Sequence, residues 1–174
     1  LPITVADITP KALTISGMTA ANKVYDGNTN ATVSTLGLAR TGLVTGDDVT
    51  VSALGAFADK NVANGKTVSL NSTYGGADLN NYTITDQAST VADITHKALT
   101  ISGITAQNKT FDSNTTATLN LANVLRTGLV SGDSVTVTGT GKFAEANVCS
   151  GTLVSLVLTH SGADEGNYTN TEQT

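Results

Sequence analysis

The stretch ADITPKALTISG, residues 6–17, returns almost unchanged as ADITHKALTISG at residues 92–103. The stretch RTGLVTGDDVTV, residues 40–51, returns as RTGLVSGDSVTV at residues 126–137, with the same shift of 86 positions (92 − 6 and 126 − 40). More than half of the positions in the matched span are identical, and the match needs no gap. The chain therefore consists of two tandem copies of one unit.

Each copy is long enough to form its own small domain. A chain of about 86 residues can bury a core without disulfides or metals. We predict domains over residues 1–95 and 96–174. The junction DQASTVADITHKALT, residues 86–100, contains no Gly/Ser-rich linker, so the connection is expected to be short.

Short alternating segments predict an all-β fold. ALTISG at 12–17, KTVSLNS at 66–72 and NYTIT at 81–85 alternate apolar and polar residues and are separated by Gly, Asn and Asp. Several short strands with such turns are typical of a sandwich or a small barrel. A helical LARTGLV segment, residues 38–44, would instead favour β-grasp-like α+β modules. Gly42 argues against a long helix there.

The first residues, LPITVADIT at 1–9, allow two interpretations. They are either the last strand of a preceding copy or the first strand of this one. In the former case, the second copy lacks its own closing strand near Thr174. The start also lacks a signal peptide, which indicates an excised part of a longer protein.

Composition narrows the function classes. Only 13% of residues are charged and the net charge is −5, so no basic patch for nucleic acid is visible. No apolar run approaches the length of a membrane helix, so we expect no membrane insertion. Cys149, the single cysteine, has Ala63 as its counterpart and no cationic neighbour, which favours an inert thiol. The Thr-, Ser- and Asn-rich composition indicates an extracellular protein.

Three aromatic positions occur in both copies and are expected to lie in the two cores. The matched pairs are Tyr25 and Phe111, Phe57 and Phe143, and Tyr82 and Tyr168. Tyr74 has His160 as its counterpart, so we predict that it lies on the surface.

The first aromatic position opens a turn that changes between the copies. Tyr25, Asp26 and Gly27 become Phe111, Asp112 and Ser113, so only the aspartate persists. A turn with positive φ suits serine poorly, and we therefore predict a type I turn closed by the aspartate side chain. A loop that contacts a ligand is the alternative.

The ordered blocks of the first copy resemble the YDG repeat of large bacterial exoproteins of the filamentous-haemagglutinin type. The blocks are ADITPKALTISG, NKVYDGNT, TGDDVTV, GAFADKNVANGKTVSL and GADLNNYTIT. The resemblance covers essentially the whole chain in both copies. It implies two tandem Ig-like β-sandwich domains, joined end to end, in the stalk of a secreted or surface-exposed bacterial adhesin. It implies no catalytic or ligand-binding residues.

The sequence gives weaker support to a metal site, a covalent cross-link or a catalytic site. Calcium could bind the acids of the GDD and GAD turns, but each loop carries only one acid that persists, so we predict no cofactor. A Lys–Asn isopeptide bond is a further alternative. The histidines, His96 and His160, are not shared between the copies and no catalytic set recurs, so we predict no enzyme.

Two functions remain. The first is a spacer that projects a distal binding region, with neighbouring repeats of the same chain as partners. The second is an adhesive module that binds a host glycan or protein, for which the loop around Tyr74 is the candidate. The matched aromatic rings and the near-identical copies favour the spacer.

Overall fold

The computed structural model describes residues 2–173, and it is all-β, as predicted. Its contacts divide the chain into two compact units. The first unit contains the residues up to Lys23 together with 28–95, and the second contains 24–27 together with the residues from His96 onward. Four residues of the first sequence repeat therefore belong structurally to the second unit.

The strands between residues 11 and 95 follow the alternating segments of the first repeat. They are β1 Lys11–Ser16, β2 Thr19–Ala20, β3 Lys23–Val24, β4 Asn30–Ala31, β5 Val33–Ser34, β6 Ala39–Thr41, β7 Thr50–Phe57, β8 Ala63–Gly75, β9 Tyr82–Thr85 and β10 Ser89–Thr95. A single 3₁₀ turn, Leu79–Asn81, precedes β9.

The first unit combines a mixed and an antiparallel arrangement. One sheet has the order β6-β1-β9, in which β1 runs antiparallel to β6 and parallel to β9. A five-stranded sheet has the order β3-β10-β8-β7-β4, and β2 pairs with β5. The strand β10 carries the ADIT sequence and covers the edge of the long strand β8.

The second unit repeats this arrangement with fewer strands. Its strands are β11 Lys97–Ser102, β12 Thr105–Ala106, β13 Thr116–Ala117, β14 Leu119–Asn120, β15 Leu125–Thr127, β16 Thr136–Phe143, β17 Val154–Ser161 and β18 Tyr168–Thr171. The sheet orders are β15-β11-β18, β12-β14 and β13-β16-β17, and a 3₁₀ turn, Glu165–Asn167, precedes β18. Within the described residues, β17 has a partner on one side only.

Each core takes buried side chains from more than one sheet. In the first unit, Leu13 and Ile15 of β1 are buried, as are Val68 of β8 and Ile94 of β10. The alternation along β1 and β11 follows from the pleat, because residues two apart share one face of a strand. The described part of the chain contains no helix long and apolar enough to cross a membrane.

The helical interpretation of residues 38–44 is wrong. Ala39–Thr41 is strand β6, and a turn follows it, in which Leu43 N–H donates to the Arg40 carbonyl over 3.3 Å. Gly42 has φ 104°, and a Cβ at this position would lie 2.3 Å from the Ala12 carbonyl oxygen of β1. Only glycine allows this close passage, which explains why the turn is kept in both repeats.

Candidate functional site

Tyr25, from the first sequence repeat, is a core residue of the second unit. Its side chain is only 1% exposed. The strand β3 ends at Val24, and Tyr25 follows it directly within the second unit. We therefore call residues 24–27 the plug of the second unit.

The plug meets a polar cluster that we call the tyrosine socket, formed in the second unit by Val130, Asp133 and Tyr168. The Tyr25 hydroxyl donates to Asp133 Oδ2 over 2.8 Å, and the Tyr168 hydroxyl donates to the same oxygen over 2.6 Å. Val130 N–H donates to the Tyr168 hydroxyl oxygen over 2.9 Å. The Tyr25 and Tyr168 rings pack edge to face, with their centroids 5.5 Å apart. One carboxylate oxygen thus holds a tyrosine from each sequence repeat.

The electrostatics of the socket favour a neutral Tyr168. Burial, together with the hydrogen bond to Asp133, raises the pKa of Tyr168 to about 12. A phenolate next to the Asp133 carboxylate would place two negative charges side by side in a partly buried site. Hydrogen bonds to a charged acceptor are stronger than neutral ones, so the two phenols hold the socket together.

Gly27 ends the plug and lies next to Val130 of the socket. Its φ is 80°, and a Cβ added there would lie 2.8 Å from Val130 Cγ1. Both the backbone conformation and the space therefore call for glycine. This value contradicts the predicted type I geometry, because that turn has negative φ at both central residues.

The first unit contains the same socket, formed by Val44, Asp47 and Tyr82. The Tyr82 hydroxyl donates to Asp47 Oδ2 over 2.6 Å, and Val44 N–H donates to the Tyr82 hydroxyl oxygen over 3.0 Å. The hydrogen bond to Asp47 raises the pKa of Tyr82, with burial as the second cause. Val44 is 45% exposed, and a cavity of about 260 Å³ lies against these residues. In the described part of the chain, no second ring covers this socket in the way Tyr25 covers the other.

The second copy of the triplet does not occupy a core. Phe111 is 56% exposed, so the core role predicted from its match to Tyr25 is wrong. Ser113 has φ 64°, so serine does adopt the conformation that we expected it to avoid. The predicted aspartate closure is present, because Asn114 N–H donates to Asp112 Oδ1 over 3.1 Å. Lys109, 2.6 Å from Asp112 Oδ1, lowers the pKa of that carboxyl.

The remaining matched aromatics differ in burial. Phe57 is buried with Lys23 Nζ 5.5 Å from its ring centroid, and Phe143 is half-buried with Lys109 Nζ at 5.7 Å. Tyr74 is half-buried and donates its hydroxyl to Asp86 Oδ1.

The acids considered for calcium have protein partners. The carboxylates of Asp47 and Asp133 accept hydrogen bonds from tyrosine hydroxyl groups. Asp78 accepts a hydrogen bond from Asp48 N–H, and Asp164 accepts one from Ser134 N–H. Residues 2–173 contain no group of three or more His, Cys, Asp or Glu side chains placed to hold a metal ion. Cys149 is exposed.

The tyrosine socket was not predicted from the sequence. The acid and the tyrosine of each socket are 35 residues apart, and both persist through the duplication, as Asp47 with Tyr82 and Asp133 with Tyr168. The persistence of both members of the Asp–Tyr pair at the same spacing was the available signal. Nothing in the sequence placed Tyr25 in the other repeat's unit.

Two copies of one all-β unit, each with the same tyrosine socket, define a tandem-repeat β protein. The YDG domain matches residues 9–90 and again residues 95–174. The chain therefore belongs to the YDG domain family, with two YDG domains in tandem. No curated protein and no solved structure gives a significant match.

Proposed function

We propose that this chain is a spacer in the stalk of a secreted or surface-exposed bacterial adhesin, which projects a distal binding region. The supporting observation is the plug, because Tyr25 of the first repeat completes the core of the second unit. A repeat that lends residues to its neighbour forms a connection stronger than a flexible peptide link. Successive repeats of the same chain are then one another's partners.

The finer fold assignment is part of the same proposal. Each unit would be an Ig-like β-sandwich, and the two would follow one another end to end. The supporting observation is that each unit buries residues from at least two separate sheets. The proposal assigns no catalytic residue, cofactor or metal to the chain.

The adhesive alternative gains no observation of its own. The candidate residue, Tyr74, donates its hydroxyl hydrogen bond to Asp86 in the same unit. The counterpart of Tyr74 is His160, which lies 3.9 Å from Glu172 and offers no matching ring. We therefore propose a single function.

A distance measurement tests the spacer. Spin labels would be placed at the equivalent exposed positions Leu36→Cys and Ala122→Cys, with Cys149→Ser removing the native thiol. A spacer predicts one narrow distance distribution in pulsed electron paramagnetic resonance, and Tyr25→Ala should broaden it. Tyr74→Ala is the matched control and should leave it narrow. A broad distribution in the chain with Tyr25 intact would contradict the spacer.

A further inference from the structure

The strand β10 shows what a complete YDG unit contains. It runs antiparallel to β8, and its Ala92 and Ile94 side chains are buried in the first unit. Its Asp93 Oδ1 accepts a hydrogen bond from Gly65 N–H over 2.7 Å, and Asp93 N–H donates to Asn22 Oδ1 over 2.8 Å. This strand therefore covers one edge of β8 and the core below it.

The second unit has no such strand among the described residues, and a groove takes its place. The groove has a volume of about 610 Å³ and is lined by Asn108, Lys109, Phe143, Cys149 and Thr152, among others. We call it the closing-strand groove. Phe143, which lines the groove, is less buried than its counterpart Phe57 in the first unit.

The groove presents the same groups that hold β10 in the first unit. Asn108 is the counterpart of Asn22. Gly151, with φ 70°, is the counterpart of Gly65, with φ 60°. Both Asn108 and Gly151 are exposed, and no strand forms at residues 149–153, although the equivalent residues 63–67 belong to β8. The binding groups are in place, whereas their strand is not.

The chain carries a second strand of the required sequence. Residues 3–9 read ITVADIT and differ from STVADIT of β10 only at the first position. They form no strand in the described structure, and Val5 and Ile8 are almost fully exposed. Their counterparts in β10 are Val91, which stays exposed, and Ile94, which is fully buried. An exposed isoleucine at a core position of the closing strand needs a groove to fill.

We propose that the closing-strand groove of the second unit takes residues 3–9 of a second copy of this chain, as an antiparallel strand along the edge of β17. In the pairing of β10 with β8, Ile94 lies opposite Ala63. By the same register, Ile8 of one molecule lies opposite Cys149 of the other. Strand addition of this kind satisfies an exposed sheet edge and buries alternate side chains. The chain therefore associates head to tail.

A separate observation fits the same head-to-tail contact. The exposed Phe111 occupies the place of Tyr25 in the repeat. Among residues 2–173, no second ring packs on Tyr82 in the first unit's socket of Val44, Asp47 and Tyr82. The cavity at that socket is also lined by Ile8, Thr9 and Pro10, the residues that end the proposed strand. When the second unit of one molecule meets the first unit of the next, residues 3–9 fill the closing-strand groove. In the same contact, Phe111 covers the socket at Val44, Asp47 and Tyr82.

Sedimentation equilibrium of the full chain tests the proposal. We expect reversible association that grows with concentration. Ile8→Asp should weaken it at least about tenfold, because a charge would enter the core position. Ile3→Asp is the matched control, since its counterpart Ser89 is exposed, and it should change association less than about twofold. Both sites are exposed in the free chain, so neither substitution affects folding.

Disulfide trapping tests the register. Ile8→Cys should form an intermolecular disulfide with the native Cys149, because Cα atoms of paired strands lie within disulfide range. Thr4→Cys is the control. Its counterpart Thr90 lies opposite Val68, so position 4 would lie opposite Val154 and not opposite Cys149. Trapping at position 8 should be roughly tenfold faster than at position 4.

Three results would overturn the proposal. The first is a chain that stays monomeric up to about 1 mM, the upper end of weak association. The second is association that Ile8→Asp does not weaken. The third is equal trapping at positions 4 and 8. The spacer function does not depend on this contact, and the spin-label distances within one molecule test that function separately.

Discussion

Tyr25 and Tyr168, one from each sequence repeat, are joined through a single oxygen of Asp133. Their hydroxyl groups donate to Asp133 Oδ2 over 2.8 and 2.6 Å, and their rings meet edge to face with an interplanar angle of 76°. Removing either phenol leaves the half-buried carboxylate with one fewer donor. The stability of the second unit therefore depends on a residue that precedes it by about seventy positions in the chain.

Truncation of the plug should destabilise the second unit. Tyr25→Phe removes one hydrogen bond to a charged acceptor and should cost about 1.5–3 kcal/mol. Tyr25→Ala also opens a cavity and should cost about 3–5 kcal/mol. Hydrogen exchange of the β16 and β11 amides measures the change in that unit.

Tyr74→Phe is the control, because Tyr74 bonds Asp86 in the first unit. It should leave the β16 exchange unchanged. If Tyr25→Ala accelerated exchange in β7 and not in β16, the assignment of the plug to the second unit would be wrong.

The glycine of the plug should be required for two separable reasons. Gly27→Ala forces a side chain onto a residue with φ 80° and places its Cβ 2.8 Å from Val130 Cγ1. Gly132→Ala has a comparable φ of 91° with open space around the Cβ, so it carries the backbone cost alone, about 1 kcal/mol. Gly27→Ala should cost more than this, by about 1–3 kcal/mol of overpacking.

Val130→Ala separates the two effects of Gly27→Ala. In urea unfolding, the double variant Gly27→Ala/Val130→Ala should recover the overpacking part and retain the backbone part. Equal costs for Gly27→Ala and Gly132→Ala would show that Val130 yields freely.

The second unit should lose stability in alkaline solution. The pKa of Tyr168 is raised from 10.0 to about 12 in the folded state. The unfolded chain therefore loses this proton first, so its stabilising effect is complete below about pH 10 and is lost as pH rises toward about 12. Urea unfolding across that range measures the loss.

Tyr25 should contribute to the raised pKa through burial, the largest cause of the shift. Tyr25→Ala should lower the pKa of Tyr168, whereas Tyr25→Phe should keep much of the burial. The carbon-13 NMR signal of Tyr168 Cζ reports this titration directly. An identical titration in the Tyr25→Ala variant would contradict the burial explanation.

Restoring the tyrosine in the second copy of the triplet should strengthen the head-to-tail contact. Phe111→Tyr supplies a hydroxyl that can donate to Asp47 as Tyr25 donates to Asp133. We expect association to tighten roughly tenfold, as for one hydrogen bond to a charged acceptor. Sedimentation equilibrium gives the constant.

The acceptor provides the control for Phe111→Tyr. In an Asp47→Asn background, Phe111→Tyr should gain less than in the parent chain, since the acceptor is then neutral. An equal gain in both backgrounds would mean that the new hydroxyl bonds elsewhere.

The strands were readable because alternation and Gly/Asn turns are local signals. KALTIS forms strand β1 and its repeat forms β11, in agreement with the pattern. The helical alternative at LARTGLV failed because the close passage of Gly42 by Ala12 is a tertiary contact. Its only local sign was the glycine itself.

The fate of the triplet could not be read from sequence. Matching Tyr25 to Phe111 assumed that both rings fill the same place in equivalent units. The structure buries Tyr25 in the second unit and leaves Phe111 exposed. A repeat alignment shows which residues match, but it contains no information on the unit in which each one is buried. The positive φ of Ser113 shows likewise that a weak backbone preference can be overridden.

In an array built from these repeats, the strength of the contact between plug and socket would differ from one repeat to the next. The contacts of Tyr-Asp-Gly and Phe-Asp-Ser differ in strength, since only the first has a hydroxyl for the carboxylate and a glycine for the tight approach. If Phe-Asp-Ser fills a socket as we propose, we expect a pulling force to separate that contact before the one made by Tyr-Asp-Gly. The first and third residues of the triplet in each repeat would thus determine the order in which the contacts along such an array break.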